Sequence, residues 1–271
     1  MHKWILSAAA LLAGALLQAQ TPQWHWEKAG KGVQYCAQQV ELFGRTEFIS
    51  AVRFKMYRHR TRILHAPGDQ ADSTSALAQK AGAIAAVNGS YFNMKTLVPT
   101  TYLKKRYIGE TIPTLPSETY RTDGVLALKG TGFAHIIPCD TTQYAWLDPL
   151  FIEAIASGPV LLQDGKPVRS EWPKSGFFTK HHPRTLVGKD KRNRFYFIVI
   201  DGRFPGQGDG ASIDETVQIA QMFGLQEALN LDGGGSCALW TRKTGVLSHP
   251  YDNHRFDHYG QRVVPNILYI R

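Results

Sequence analysis

The chain has 271 residues, 43% hydrophobic and 20% charged, with 31 Lys and Arg against 22 Asp and Glu for a formal net charge of +9. That length supports one large core, and three widely spaced cysteines, Cys36, Cys139 and Cys237, exclude a disulfide framework or a cysteine zinc site. The positive balance suits an anionic ligand, but no zinc-finger, helix-turn-helix or RNA-binding signature accompanies it, so no nucleic-acid partner is expected.

Residues 1–20 place Lys3 before an apolar run from Trp4 to Leu17 and a small residue, Ala19, before polar Gln20. This is the pattern of a secretory signal peptide. The run is shorter than the ~20 apolar residues a membrane span needs, and it holds no cysteine for lipidation. A secreted or periplasmic protein without stable membrane insertion is expected. Residues 21–79 are expected to form an N-terminal arm, over 21–44, followed by the first strands. Glu47–Tyr57 carries Phe48, Val52, Phe54 and Met56 mostly two apart and reads as a strand. The basic runs Arg58-His59-Arg60-Thr61-Arg62 and Lys189-Asp190-Lys191-Arg192-Asn193-Arg194 fall at strand ends and turns, where solvated loop charge is the plain reading.

Asp72-Ser73 supplies N-cap chemistry for a helix over Thr74–Ala81, which Gly82 closes before the apolar run Ala83–Val87. That run leads into Asn88-Gly89-Ser90-Tyr91-Phe92-Asn93 and opens the main domain, residues 80–271. Further strands are predicted at Val125–Leu128, Pro159–Gln163 with an Asp164-Gly165 hairpin turn, Thr185–Gly188, Phe195–Asp201, Ala228–Asp232, Cys237–Trp240 and Val263–Ile270. Ser212-Ile213-Asp214-Glu215 is a capping box, and Ile213, Val217, Ala220 and Phe223 form an apolar helical stripe ended by Gly224. The fold expected is a single α+β domain of mixed β-sheet with a few packed helices and an active-site cavity at strand ends.

Asp201 and Asp232 each close an apolar strand, on either side of that helix. Asp-Gly is ordinary turn chemistry, but ends of buried strands open onto the edge where clefts form. Gly233-Gly234-Gly235-Ser236 joins two apolar strands with more glycine than a hairpin needs, which implies close backbone approach, and its N–H groups would make an anion nest. Ser236 lacks the glycine spacing of a nucleophile elbow, and Cys237 begins an apolar strand as a buried cysteine would. Glu215 is explained by capping, though its helix turn would face the same cleft. Arg184 and Arg203 could supply planar forks to a phosphate or make surface salt bridges. His249, His254 and His258 with Asp252 and Asp257 show no specific ligand spacing, so no metal and no cofactor is expected.

Six segments in this order, Ala86-Val87-Asn88-Gly89-Ser90-Tyr91-Phe92, Ala156-Ser157-Gly158-Pro159, Pro183-Arg184-Thr185, Ile200-Asp201-Gly202-Arg203, Gly210-Ala211-Ser212 to Glu215, and Leu229-Asn230-Leu231-Asp232-Gly233-Gly234-Gly235-Ser236, resemble the phosphodiester glycosidase family over roughly residues 80–271. The resemblance implies hydrolysis of a sugar-1-phosphate diester, such as an alpha-N-acetylglucosamine-phosphate-sugar, in a cavity lined by these motifs. On that basis a small-molecule or glycan phosphodiester is expected to bind through Arg184, Arg203 and the amides of Gly233, Gly234, Gly235 and Ser236. Asn88 and Asn230 would hold sugar hydroxyls or phosphate oxygens. Asp232 is the expected base or nucleophile, with Glu215 or Asp201 as the second carboxylate. The alternatives are a phosphodiesterase cleaving the P–O bond and a non-catalytic binder of phosphorylated glycans.

Overall fold

Runs that are apolar on both faces, such as Phe195–Ile200, can only be satisfied inside a sheet covered on both sides, and the computed structural model places them there. It describes residues 21–105, 111–131, 133–147 and 150–271; the expected signal peptide lies outside the described residues. The central sheet has eight strands in the order Glu27–Gly30, Val33–Leu42, Arg45–Lys55, Arg194–Ile200, Arg184–Asp190, Leu225–Asn230, Val160–Gln163 and Lys166–Pro167, all paired antiparallel. Residues 27–42, expected within an N-terminal arm, are thus two strands of the main sheet, because Val33 and Cys36 have core partners to bury against.

Two five-stranded sheets complete the frame. One holds Thr111–Ile112, Leu103–Lys104, Glu153–Ser157, Gly124–Leu128 and Ala134–Pro138. The other holds Gly245–Val246, Leu239–Thr241, Ala85–Asn88, Asn266–Ile270 and Thr61–His65. Inward side chains of all three sheets meet in one core, which includes Val52, Phe54, Val87, Leu126, Ile155, Phe197 and Leu268. Each such side chain contributes about 1.5–3 kcal/mol on burial. The molecule is therefore mostly β, with few helices.

The outer face of the central sheet is covered by the helix Ile213–Met222, whose Ile213, Val217 and Ala220 pack against Leu161, Leu186 and Ile198. Its capping box forms as the sequence indicates: Ser212 Oγ accepts from Glu215 N at 3.2 Å, and Glu215 Oε2 accepts from Ser212 N at 2.8 Å. The helix Thr74–Lys80 is capped by Ser73, and the Asp164-Gly165 turn takes positive φ at both residues, 48° and 74°, as a tight hairpin requires. Cys36, Cys139 and Cys237 are buried free thiols. Among the described residues no helix is long and apolar enough to cross a membrane.

Strand register decides where chemistry can occur. Arg184 sits opposite Ile200, and Leu186 sits opposite Asn230, so the strand ends carrying Arg184, Asp201 and Leu231 lie side by side on one edge. Asn88 ends Ala85–Asn88 in the neighbouring sheet, and Asp232 N donates to Gly89 O at 3.1 Å. The triple-glycine segment is the bridge by which the chain crosses from the central sheet to Leu239–Thr241.

Candidate active site

At that edge lies a cavity of about 340 Å³, with Asp232, the Gly233–Gly235 backbone and four arginines, Arg121, Arg184, Arg203 and Arg262, among its lining residues. The volume is within the range of small-molecule sites. Asp232 is half-buried, and its Oδ1 accepts from Gly233 N at 3.0 Å. Burial raises its carboxyl above the ordinary aspartate range, against the opposing pull of the Ser236 hydroxyl, Arg121, Arg262 and the Gly233 amide.

Each of the three glycines is required by a different neighbour. A side chain on Gly233 would press on Pro183 O at 2.7 Å; Gly234 has φ of 61° and lies under the Arg203 guanidinium; a Cβ on Gly235 would overlap Asp252 and Arg262. The close approach expected from the sequence is therefore to the protein's own groups. This also corrects the expected amide nest. Gly233 N is taken by Asp232, Gly234 N donates to Pro183 O at 2.9 Å, and Ser236 N donates to Gly233 O at 3.2 Å. Of the amides at 233–236, that of Gly235 alone has no acceptor among the described residues, since the turn tightens into a 3₁₀ helix over Gly234–Ser236.

The arginines divide into two kinds. Arg184 is buried, its Nε donates to Ala211 O at 2.8 Å, and its Nη2 donates to Phe177 O at 2.7 Å and Lys180 O at 3.2 Å. Three of its five N–H groups are thus spent on carbonyls, and the Nη1 amino group is left for a ligand. Burial lowers its pKa to about 10, so it stays charged at neutral pH. Arg203 is exposed, with φ of 69° after Gly202, and its guanidinium lies 5.0 Å from the Tyr251 ring centroid. Among the described residues neither Arg184 nor Arg203 pairs with a carboxylate. Arg121 and Arg262 are neutralised in place: Arg121 pairs with Glu118 and stacks 3.8 Å over Tyr91, and Arg262 grips both oxygens of Asp252 at 2.7 Å.

The other expected site residues lie elsewhere. Asp201 is buried, and its Oδ2 accepts from His249 N at 2.9 Å and bonds His249 Nδ1 at 2.7 Å; burial raises its carboxyl and His249 opposes the shift. Glu215 does not line the cavity, because Arg45 takes its Oε2 at 2.7 Å beside the Ser212 amide and His181. Burial alone would raise Glu215, but those partners outweigh it and hold it low.

Asn88 and Asn230 are buried, and their amide groups fasten the turn. Asn88 Nδ2 donates to Asp232 O at 2.7 Å, while its Oδ1 accepts from Thr185 Oγ1 at 2.8 Å and Ala238 N at 3.2 Å. Asn230 Nδ2 donates to Gly158 O and Leu231 O, both at 2.8 Å. Ser236 is buried and its hydroxyl makes no well-formed hydrogen bond, though it lies near enough to favour the ionised Asp232. These residues fix the turn because buried amides must find partners. Asn88 fills its bonds internally and has nothing left for substrate, whereas Asn230 Oδ1 has no hydrogen-bond partner among the described residues.

Sequence reading missed Arg121, Arg262, Phe177 and His182, all of which line the cavity. Arg121 and Arg262 come from irregular segments with no periodic pattern to point at. Pro183-Arg184 did mark its neighbourhood, and His182 and Phe177 precede it closely enough to have been considered. Among the described residues no group of three or more His, Cys, Asp and Glu could hold a metal ion. His249 and His258 instead stack, with ring centroids 4.5 Å apart.

The fold has relatives among solved structures. The catalytic domain of zebrafish N-acetylglucosamine-1-phosphodiester alpha-N-acetylglucosaminidase, auto-inhibited by its pro-peptide, aligns with a TM-score of 0.69 at 17% identity, over 90% of this chain and 85% of that one. A hypothetical protein from Synechocystis aligns at 0.65 and 15% identity, over 93% of this chain and 64% of its own. A putative exported protein from Burkholderia pseudomallei aligns at 0.59 and 14% identity, over 83% and 74%. A search of curated proteins by sequence returns no match. The phosphodiester glycosidase family profile matches residues 81–271, so the chain belongs to that family.

Proposed function

We propose that this protein hydrolyses glycosyl-1-phosphodiesters, releasing a free sugar and a phosphomonoester, after export and removal of residues 1–20. The observation that carries the reading is Asp232: the single carboxylate among the described residues that line the cavity, raised by burial, in a wall shared with Arg184 and Arg203, which have no carboxylate partner among the described residues. Arg184 Nη1 and Arg203 hold the phosphate as planar donors. Asp232 accepts a proton from the water that attacks the anomeric carbon, and the electron pair of the breaking C1–O bond leaves with the phosphate. A phosphate diester is already a good leaving group, so one carboxylate can carry the acid–base work that ordinary glycosidases divide between two. The raised pKa makes Asp232 a stronger base than an ordinary aspartate.

The test is product identity on a panel of glycosyl phosphodiesters, beginning with an alpha-N-acetylglucosamine-phosphate-sugar. Free sugar plus phosphomonoester supports the reading. Sugar phosphate as the product would mean P–O cleavage, and tight binding with no turnover across the panel would mean a binding protein.

A further inference from the structure

The two basic runs noted in the sequence fall far apart in the chain, yet register brings them together. Arg194 lies opposite Lys55 where the Arg45–Lys55 and Arg194–Ile200 strands meet, so the turn after Lys55 and the turn before Arg194 share one sheet edge. Between them is a cavity of about 220 Å³ lined by Gln34, Arg53, Lys55, Arg58 and Arg194 over Gly32. Four cations converge there. Arg194 is paired with Asp190 at 2.6 Å, but among the described residues Arg53, Lys55 and Arg58 have no carboxylate partner. Arg53 is also held in place: its guanidinium lies 3.8 Å over the Trp26 ring and its Nε donates to Gln34 Oε1 at 3.0 Å. Burial first, and the nearby Arg194, weaken its hold on its proton, so a bound anion would relieve an existing cost.

We infer that this cavity is a second anion site, which takes a phosphate group of a polyanionic glycan. The polymer as ligand rests on the function proposed above; the anion site rests on the geometry alone. Planar guanidinium and ammonium donors around a small concavity suit phosphate oxygens. The site lies at the far end of the Arg194–Ile200 strand from the Asp201–Arg203 turn, about 20 Å away at the usual rise per residue. A repeating phosphodiester chain long enough to reach both would be held at two points, so the second site raises its effective concentration at the first.

The experiment is titration of the protein with linear polyphosphate across a series of salt concentrations. Lys55→Gln/Arg58→Gln removes two exposed cations of the cavity; Lys166→Gln/Lys174→Gln removes two exposed cations elsewhere and so controls for net charge. The first pair is expected to weaken binding about tenfold and to lower the slope of log affinity against log salt by about 1.5, whereas the control pair changes both much less. Hydrolysis of a monomeric glycosyl phosphodiester stays unchanged in the cavity pair. Equal weakening by the two pairs, or no weakening by the cavity pair, overturns the site. If no glycosyl phosphodiester is hydrolysed but the cavity pair alone weakens polyphosphate, the anion site stands and the proposed enzyme activity falls.

Discussion

Asp201 and Asp232 look alike along the chain, each closing a buried strand and preceding glycine, but the protein uses them in opposite ways. Asp201 is covered: His249 supplies two hydrogen bonds, and Phe256 stacks on the His249 ring at 3.7 Å between centroids. Asp232 has the Gly233 amide on one oxygen and opens onto the arginine-walled cavity. A strand-end carboxylate becomes a candidate catalyst only where the following loop does not consume it. Glycines at 233–235 keep side chains out of the way, whereas the loop after Ser248 closes over Asp201.

The sharpest way to break this contrast is Asp232→Asn, which keeps size but removes charge and basicity. Its rate is expected to fall by at least about two orders of magnitude. Its thermal midpoint should stay level or rise: a carboxyl raised in the folded state makes stability fall as pH climbs through the unfolded value near 3.9, and Asn removes that cost. A fully active variant would put Asp232 on the same footing as Asp201.

Arg203→Lys tests the fork geometry with charge preserved. A loss of roughly tenfold or more in kcat/KM with an unchanged melting profile is expected, because the side chain is exposed and makes no hydrogen bond among the described residues. Normal kinetics would return Arg203 to ordinary surface charge.

For the covered carboxylate, Asp201→Ala leaves two His249 donors without an acceptor. Stability should drop by about 1–3 kcal/mol for each donor that stays dry, while kcat remains within severalfold. A collapse in kcat with an unchanged midpoint would mean that Asp201 acts on substrate.

The pH profile sharpens the same contrast. If Asp232 must be ionised to act, kcat/KM falls as pH is lowered through its raised pKa, so the acid limb lies above the ordinary aspartate value of about 3.9. An acid limb at or below that value would separate the activity from Asp232.

The smallest effect belongs to Glu215→Gln, which can still cap Ser212 but loses the Arg45 pair. A cost of about 0.5–1 kcal/mol with unchanged turnover is expected; a large rate loss would restore Glu215 as a second carboxylate.

Elements with a local signature were legible. The Ile213–Met222 helix announced its cap, its stripe and its glycine stop, and the Phe195–Ile200 run could be nothing but a covered strand. Asp232 and the need for close approach at the glycines were legible for the same reason, since composition alone was out of the ordinary. Roles that depend on partners were not. Asn88 and Thr185 lie 97 positions apart and Asn88 and Asp232 lie 144 apart, yet they fasten one turn.

The sequence by itself determined several of the strands, the capped helix, the family motifs and a short set of polar residues from which a site could be built, because hydrophobic period and turn chemistry act over a few residues. Only the tertiary structure decided which of those groups stay open. It closed Asp201 with His249 and Glu215 with Arg45, spent most of the glycine amides on the protein's own acceptors, and brought Arg121 and Arg262 into the cavity from segments without a pattern. The physical reason is that a buried polar group takes the nearest partner that packing provides, and packing is set by contacts between residues far apart in the chain.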